Sequence, residues 1–469
     1  MLSSIFDRRH ILFRSTFAAC VISALVLIWS HRFLPISDYP DWVFEGSIAA
    51  ELIHGEAPAA YSFKHYPVPY SVTVGLLGVL DLVFPPEVSG KIVLSLCVIL
   101  FALSSTYLLI SLRRDADNPL QLIPLLFLLN TFFFWGELAY LFGLSIFFLY
   151  CGYLFRRIYR PAPINWWIVG GASIAMFFCH FIPYATAILV TLILILIESR
   201  GELVRPFVIS FVPSIGLTIW YVVERLSLRQ PAPDWTFWTT HQFAGRWLAA
   251  FSPFPEFLPW LGIQAPCMKF LALLNLVVVI ALSLVVPACL LSWTKMRARH
   301  SGVLTCAIVC GIFAIASGYQ FEGMVSPGER FLYPGVWIGL CWLIGGELSD
   351  GSRATKRVLT VGLTGLLTCQ IMFMQLDVGA VSNELASLYS KLRSATTQTE
   401  FCAIYETYRN KSWDKPHRSG LDALLTNHAS EPRLPYYILL ERKAQTPIFQ
   451  IGILDYSGHG DNEDLCKSQ

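Results

Sequence analysis

Asp38 and Asp41 stand three residues apart at the head of a segment, residues 37–69, that follows the first membrane-length apolar run. The segment reads SDYPDWVFEGSIAAELIHGEAPAAYSFKHYPVP and also holds Glu45, Glu51, His54, Glu56, Lys64 and His65. A chain this apolar rarely gathers so many ionisable groups beside a membrane span without using some of them. On a helical turn the carboxylates of Asp38 and Asp41 share a face. At a low-dielectric boundary, burial and like charge push their proton affinities apart, which leaves one member able to act as a general base. The competing account is helix capping, since Ser37 and Asp38 are good N-caps ahead of an acid-rich stretch.

Cations that could meet a phosphate lie elsewhere in the chain. Lys64 and His65 precede Pro67-Val68-Pro69, where they are either anion contacts or a solvated loop. Arg330, in SPGERFLYPG, enters an apolar run with Glu329 beside it. A guanidinium held there could clamp a phosphate or diphosphate bidentately, or snorkel outward with no chemical duty. Glu137 in WGELAY and His180 in FFCHFIPY are ionisable groups at the ends of apolar runs, and so are candidates to line an active cavity. A lone histidine is also commonly a packed core group. No Gly-rich phosphate loop, H-E-x-x-H or G-x-S-x-G occurs, so nucleotide hydrolysis, zinc proteolysis and hydrolase-fold chemistry lack a motif.

The elements that must position these residues are membrane helices. Hydrophobic residues make up 55% of the 469, charged residues only 14%, and the mean hydropathy is +0.55, which is too apolar for an ordinary globular domain. The net charge of +2 gives no basic excess, so nucleic acid is not an expected partner. About eleven apolar runs match the ~20 residues that cross ~30 Å of hydrocarbon as helix. They cover residues 12–34, 87–112, 119–135, 138–155, 164–181, 183–198, 206–223, 268–293, 302–319, 332–347 and 358–376. A shorter run, 68–84, is expected to lie in the outer interface as a helix. Left uncrossed, it places Arg8, Arg9, Arg14, Arg113, Arg114, Arg156, Arg157, Arg160, Arg200, Arg205, Lys295, Arg297, Arg299, Arg353, Lys356 and Arg357 on one side, the cytoplasmic one.

The expected fold is therefore an all-α polytopic membrane protein with the N-terminus cytoplasmic. Residues 1–376 form its transmembrane domain, with a first outer loop at 36–86 and another outer loop at 224–267. From Asp377 the composition breaks, with ten basic and twelve acidic residues in the tail, and 377–469 read as a small α/β extracytoplasmic domain. Ten of the twelve cysteines fall in or beside apolar runs; Cys402 and Cys466, in the tail, could pair in an oxidising compartment. There is no C-x-x-C pair and no zinc-type spacing.

The order of motifs resembles the GT-C glycosyltransferases. An N-terminal span leads to an acidic first outer loop (SDYPDW), then to a Tyr-Pro segment opening a short helix (HYPVPYSVTVGLLGVLDLVF). A long helix ending in a basic turn follows, and an Arg-aromatic-x-x-Pro entry to a late span (RFLYPG) completes the set. The chain is also similar to a group of bacterial multispan proteins with D-x-P near the start, N-x-x-x-x-W-G-x-L (NTFFFWGEL) and a late L-P-x-Y-x-x-x-E-R string (LPYYILLER). The resemblance implies a GT-C-like enzyme of the bacterial inner membrane that takes a sugar from a polyprenyl-phosphate donor. The acceptor would be a cell-envelope glycan, lipid or protein on the outer face. It implies Asp38 as the base, with Asp41 beside it, and Arg330 as the donor-phosphate contact. Many members carry a tighter acid pair, Asp-x-Asp or Asp-Glu, so the spacing here leaves open the base assignment and any divalent cation, magnesium or manganese, at Asp38 and Asp41. A flippase or transporter of a lipid-linked saccharide, or a non-catalytic scaffold of an envelope-polysaccharide complex, are the alternatives from other classes.

Overall fold

The computed structural model describes residues 11–36, 38–57, 61–112, 119–160, 162–198, 201–227, 276–280, 282–284, 300–317, 320–321, 324–325, 327–346 and 353–395. It also describes 287, 397, 399–400, 403–404 and 454–456. The protein is an all-α membrane protein. Its helices are α1 (Ile11–Ser30), α2 (Tyr39–His54), α3 (Ser71–Asp81), α4 (Pro86–Ile110), α5 (Thr131–Trp135), α6 (Leu138–Tyr159), α7 (Trp166–Cys179), α8 (Phe181–Ile197), α9 (Val204–Ser227), α10 (Ser301–Ala316), α11 (Pro327–Gly346) and α12 (Arg353–Ser394). Five stretches are long and apolar enough to cross a membrane: Phe13–Ser30, Pro86–Ile110, Leu138–Tyr159, Gly201–Ser227 and Val358–Leu376. The α9 face formed by Val208, Val212, Ile215, Ile219, Val222 and Leu226 is exposed at alternating spacings of four and three residues. An apolar stripe of this length suits lipid rather than water.

One sequence expectation is refined. Residues 119–135 are not one continuous helix: Pro119–Phe127 is a 3-10 helix, the chain extends at Asn130, and α5 is a single short turn. Pro124 removes a backbone donor inside the run. Asn130 then restarts the helix by accepting the Phe133 N–H at 3.1 Å. The segment 36–86 also holds a packed element, α2, which buries ten of its sixteen residues, Asp41 and Glu45 among them. The short helix expected within 68–84 is present as the eleven-residue α3.

The composition break at Asp377 falls inside α12, which runs unbroken for 42 residues. Tyr389 of its far half stacks on Phe33 with ring centroids 4.9 Å apart, and Arg32 lies 5.0 Å over the same tyrosine. Beyond α12 the tail is described only in pieces, so its α/β character, the Cys402–Cys466 pairing, residues 228–267 and most of the 268–293 run lie outside the described residues. One piece is informative: the strand β4 (Leu454–Tyr456) pairs antiparallel with β1 (Tyr61–Phe63), which brings the end of the chain onto the segment between α2 and α3. A second pair of two-residue strands, β2 (Gln320–Phe321) and β3 (Met324–Val325), precedes α11.

An aromatic column fixes α11 in the core. Trp337 meets Phe127 at 5.4 Å, Phe101 at 6.2 Å and Phe148 at 5.9 Å, while Tyr333 meets Phe132 at 5.4 Å. At the opposite end of α6, the Glu198 carboxylate accepts from the Tyr159 hydroxyl and from the Gly302 N–H, at 2.5 and 3.0 Å, tying α6, α8 and α10 together.

The α2–α3 hairpin closes over glycine. A Cβ added at Gly46 would meet Leu77 Cβ at 2.4 Å, and one at Gly78 would meet Ala49 Cβ at 2.9 Å. Gly46→Ala gains up to ~1 kcal/mol of helix propensity but forces the helices apart, at ~1–3 kcal/mol for overpacking. Thermal unfolding in detergent should show a net loss, and an unchanged or raised midpoint would refute the close approach. Asp81, at the end of α3, is pushed up from 3.8 to about 6 by burial, with the Ser89 hydroxyl pulling the other way. Because the fold binds this proton more tightly than the unfolded chain does, its contribution to stability is present at low pH and lost between 3.8 and about 6. Asp81→Asn should remove that decline from a pH series of unfolding midpoints.

Candidate functional site

The site begins at the turn between α5 and α6. Gly136 ends α5 in the left-handed region at φ +81°, which lets the chain reverse and start α6 two residues later. A Cβ there would meet the Asp38 nitrogen at 2.7 Å and the Asp38 Cβ at 2.8 Å. The Asp38 N–H donates to the Trp135 carbonyl at 3.2 Å, and Trp42 Nε1 donates to the Gly136 carbonyl at 2.8 Å. The N-x-x-x-x-W-G-x-L string is thus a structural device: asparagine caps, glycine turns, and the start of α2 is seated on the result.

Glu137, the next residue, holds Arg330. The guanidinium donates through Nη2 to Glu137 Oε1, and its Nη1 lies 2.9 Å from His180 Nε2. Tyr140 supports the pair from one turn into α6: its hydroxyl donates to the Arg330 carbonyl at 3.1 Å, and its ring lies 5.9 Å from the guanidinium carbon. His180 is fully buried between two tyrosines, edge-on to Tyr70 at 4.5 Å and to Tyr140 at 5.2 Å. Partial burial raises the Tyr70 phenol well above the usual tyrosine range, against a smaller opposing pull from Arg330, so it stays a neutral hydroxyl.

Every one of these groups sits at a helix N-terminus. Asp38 precedes α2, Tyr70 precedes α3, Glu137 precedes α6, His180 precedes α8, and Glu329 and Arg330 lie in the first turn of α11. Each end carries roughly half a positive charge from its unpaired N–H groups. That explains how Asp38, Glu137 and Glu329 are tolerated together, and it makes the cluster a place where further negative charge is stabilised. Arg156 and Arg157 lie in the last turn of α6, 19 and 20 residues beyond Glu137 and so about 30 Å distant at 1.5 Å per residue.

Of the residues singled out from the sequence, Arg330, Glu137 and His180 are in direct contact, and Asp38 is seated on the same turn. Glu329 is buried in the first turn of α11 beside Arg330. Asp41 is buried one turn further along α2 than Asp38, with Glu45 a turn beyond it. His65 is turned elsewhere: it is exposed and lies 3.4 Å from Glu224 near the end of α9, with Lys64 half-buried beside it. Tyr70 and Tyr140 were not legible as site residues, because nothing in their spacing separates them from interfacial aromatics. Among the described residues no group of three or more His, Cys, Asp or Glu is placed to hold a metal ion. No family model, characterised protein or solved structure matches the chain.

Gly136→Ala should cost roughly 1–3 kcal/mol of stability, from left-handed strain together with the clash at Asp38. The same substitution at Gly171, where a Cβ meets nothing within 4 Å, should cost far less. Equal unfolding midpoints for the two variants would contradict the seating of Asp38 on this turn.

Proposed function

We propose that the protein is an integral membrane glycosyltransferase that moves a sugar from a polyprenyl-phosphate donor to a cell-envelope glycan, lipid or protein on the outer face of the inner membrane. The observation that carries this reading is the convergence of the Asp38 segment and Arg330, nearly three hundred residues apart, on one turn at Gly136-Glu137. In the proposed topology eleven spans leave the N-terminus cytoplasmic and the tail outside. The pairing of β1 with β4 supports a shared side for the first segment and the tail.

A lipid-linked donor keeps its prenyl chain in hydrocarbon and presents phosphate and sugar at the depth of the cluster. Asp38 takes the proton from an acceptor hydroxyl as that oxygen attacks the anomeric carbon. The bond from that carbon to the phosphate oxygen breaks, and the departing oxygen keeps the electron pair beside Arg330. Asp41, buried in the first turn of α2, is the second carboxylate of this acidic centre. Ionisable groups gathered at one set of helix ends fit this chemistry better than a transporter, which would hold them at mid-membrane.

Asp38→Asn should lower sugar transfer from membrane-embedded polyprenyl-phosphate sugar by roughly 10²- to 10⁴-fold, the usual worth of a general base, with folding and insertion intact. Undiminished transfer by the inserted variant would remove Asp38 as the base.

A further inference from the structure

His180 is caught between two donors. Its Nδ1 accepts the Ile182 N–H at 3.1 Å, which caps α8. A ring nitrogen that accepts carries no proton, so a neutral His180 holds its proton on Nε2. That nitrogen lies 2.9 Å from Arg330 Nη1, which is itself always a donor. The other tautomer would set a proton against the Ile182 N–H, and the imidazolium would set one against each neighbour. No protonation state makes hydrogen bonds of both contacts. Arg330 Nε is also buried and, among the described residues, has no acceptor. The Nη1–H of a side chain more than nine-tenths buried and the Nε2–H of a fully buried histidine thus face each other as two donors, which call for one anionic oxygen between them, while the Nε–H on the other edge of the guanidinium is left over.

We infer that Arg330 and the Nε2–H of His180 jointly bind a phosphate-class oxyanion, and that the site selects a singly charged phosphodiester. The inference rests on the phosphate role proposed above for Arg330 and makes His180 its second donor, with its tautomer fixed by the helix cap. The charge preference comes from Glu137, which already neutralises the guanidinium, and from Glu329, buried in the same turn of α11. What the cluster offers beyond that is hydrogen-bond donors and helix ends rather than a full unit of positive charge. A sugar linked through a phosphodiester carries one negative charge, whereas a phosphomonoester carries about 1.5 to 2 at neutral pH. Breaking the glycosidic bond converts the first into the second, so the site loosens its hold on the product it creates.

The test uses the full chain in lipid nanodiscs with three probes: geranyl methyl phosphate, dimethyl phosphate and geranyl phosphate. Nitrogen NMR of ¹⁵N-histidine protein, with His180 assigned by its loss in His180→Asn, reads the tautomer directly among ten histidines. The expected result is a proton on Nε2 and a resonance that moves when either diester is added. Asparagine retains the capping oxygen, but its amide N–H groups end short of the Nε2 position. His180→Asn should therefore still fold, and should bind the diester roughly tenfold or more weakly. Tighter binding of geranyl methyl phosphate than of dimethyl phosphate assigns the lipid as source, and equal binding assigns the head group alone. A proton on Nδ1, an unmoved resonance, or undiminished binding by His180→Asn would overturn the shared subsite, and preference for geranyl phosphate would overturn the charge selection. Diester binding through His180 in a protein that transfers no sugar would end the glycosyltransferase reading and leave this subsite standing.

Discussion

The arrangement depends on burying one guanidinium. Arg330 is 8% exposed, and such a charge is tolerated only with a counter-charge at hand. Glu137 supplies the charge, the Tyr140 hydroxyl fixes the backbone beneath it, and the aromatic column around Trp337 and Tyr333 holds α11 in register. Removing either partner of such a pair leaves an uncompensated charge worth about 3–5 kcal/mol, which makes the pair a structural commitment as well as a chemical one.

Helix ends explain how carboxylates gather beside it. The helix dipole alone accounts for an acid at a helix start, and Asp38, Glu137 and Glu329 each satisfy that rule separately without a capping hydrogen bond from Asp38 or Glu137. What the dipole does not account for is that α2, α6, α8 and α11 begin at the same place. Their convergence follows from packing: the Gly46–Leu77 and Gly78–Ala49 contacts close α2 on α3, Gly136 accepts Asp38 against its backbone, and α12 holds the segment after α1 through Tyr389. The Arg330 cluster sits where these constraints intersect, at the end of α6 remote from Arg156 and Arg157.

Much of this was legible in the residues. Apolar run lengths foretold helices at nearly all the expected places, and the cost of charge in an apolar chain singled out Glu137, His180 and Arg330, which turned out to touch. Spacing failed where a local breaker mattered more than hydropathy: Pro124 and Asn130 divide a run that composition reads as continuous. Within residues 36–86 the packing of α2 was not spelled out by its polar side chains, and it rests on the buried face of Tyr39, Val43, Phe44 and Ile48. The two histidines part as their settings suggested: His65, in a loop, pairs with Glu224 in solvent, and His180, at the end of an apolar run, is sealed beside Arg330. Which helices close around the buried ring is not written in a single sequence.

The most direct measurement is a cryo-electron microscopy structure of the full chain in nanodiscs with a non-transferable polyprenyl phosphonate analogue of the donor. The account predicts its phosphorus within hydrogen-bond reach of Arg330, the sugar's anomeric carbon facing the Asp38 carboxylate, and the Glu137 contact retained. A phosphonate bound away from Arg330, or an Asp38 side chain turned from the sugar into open water, would contradict it.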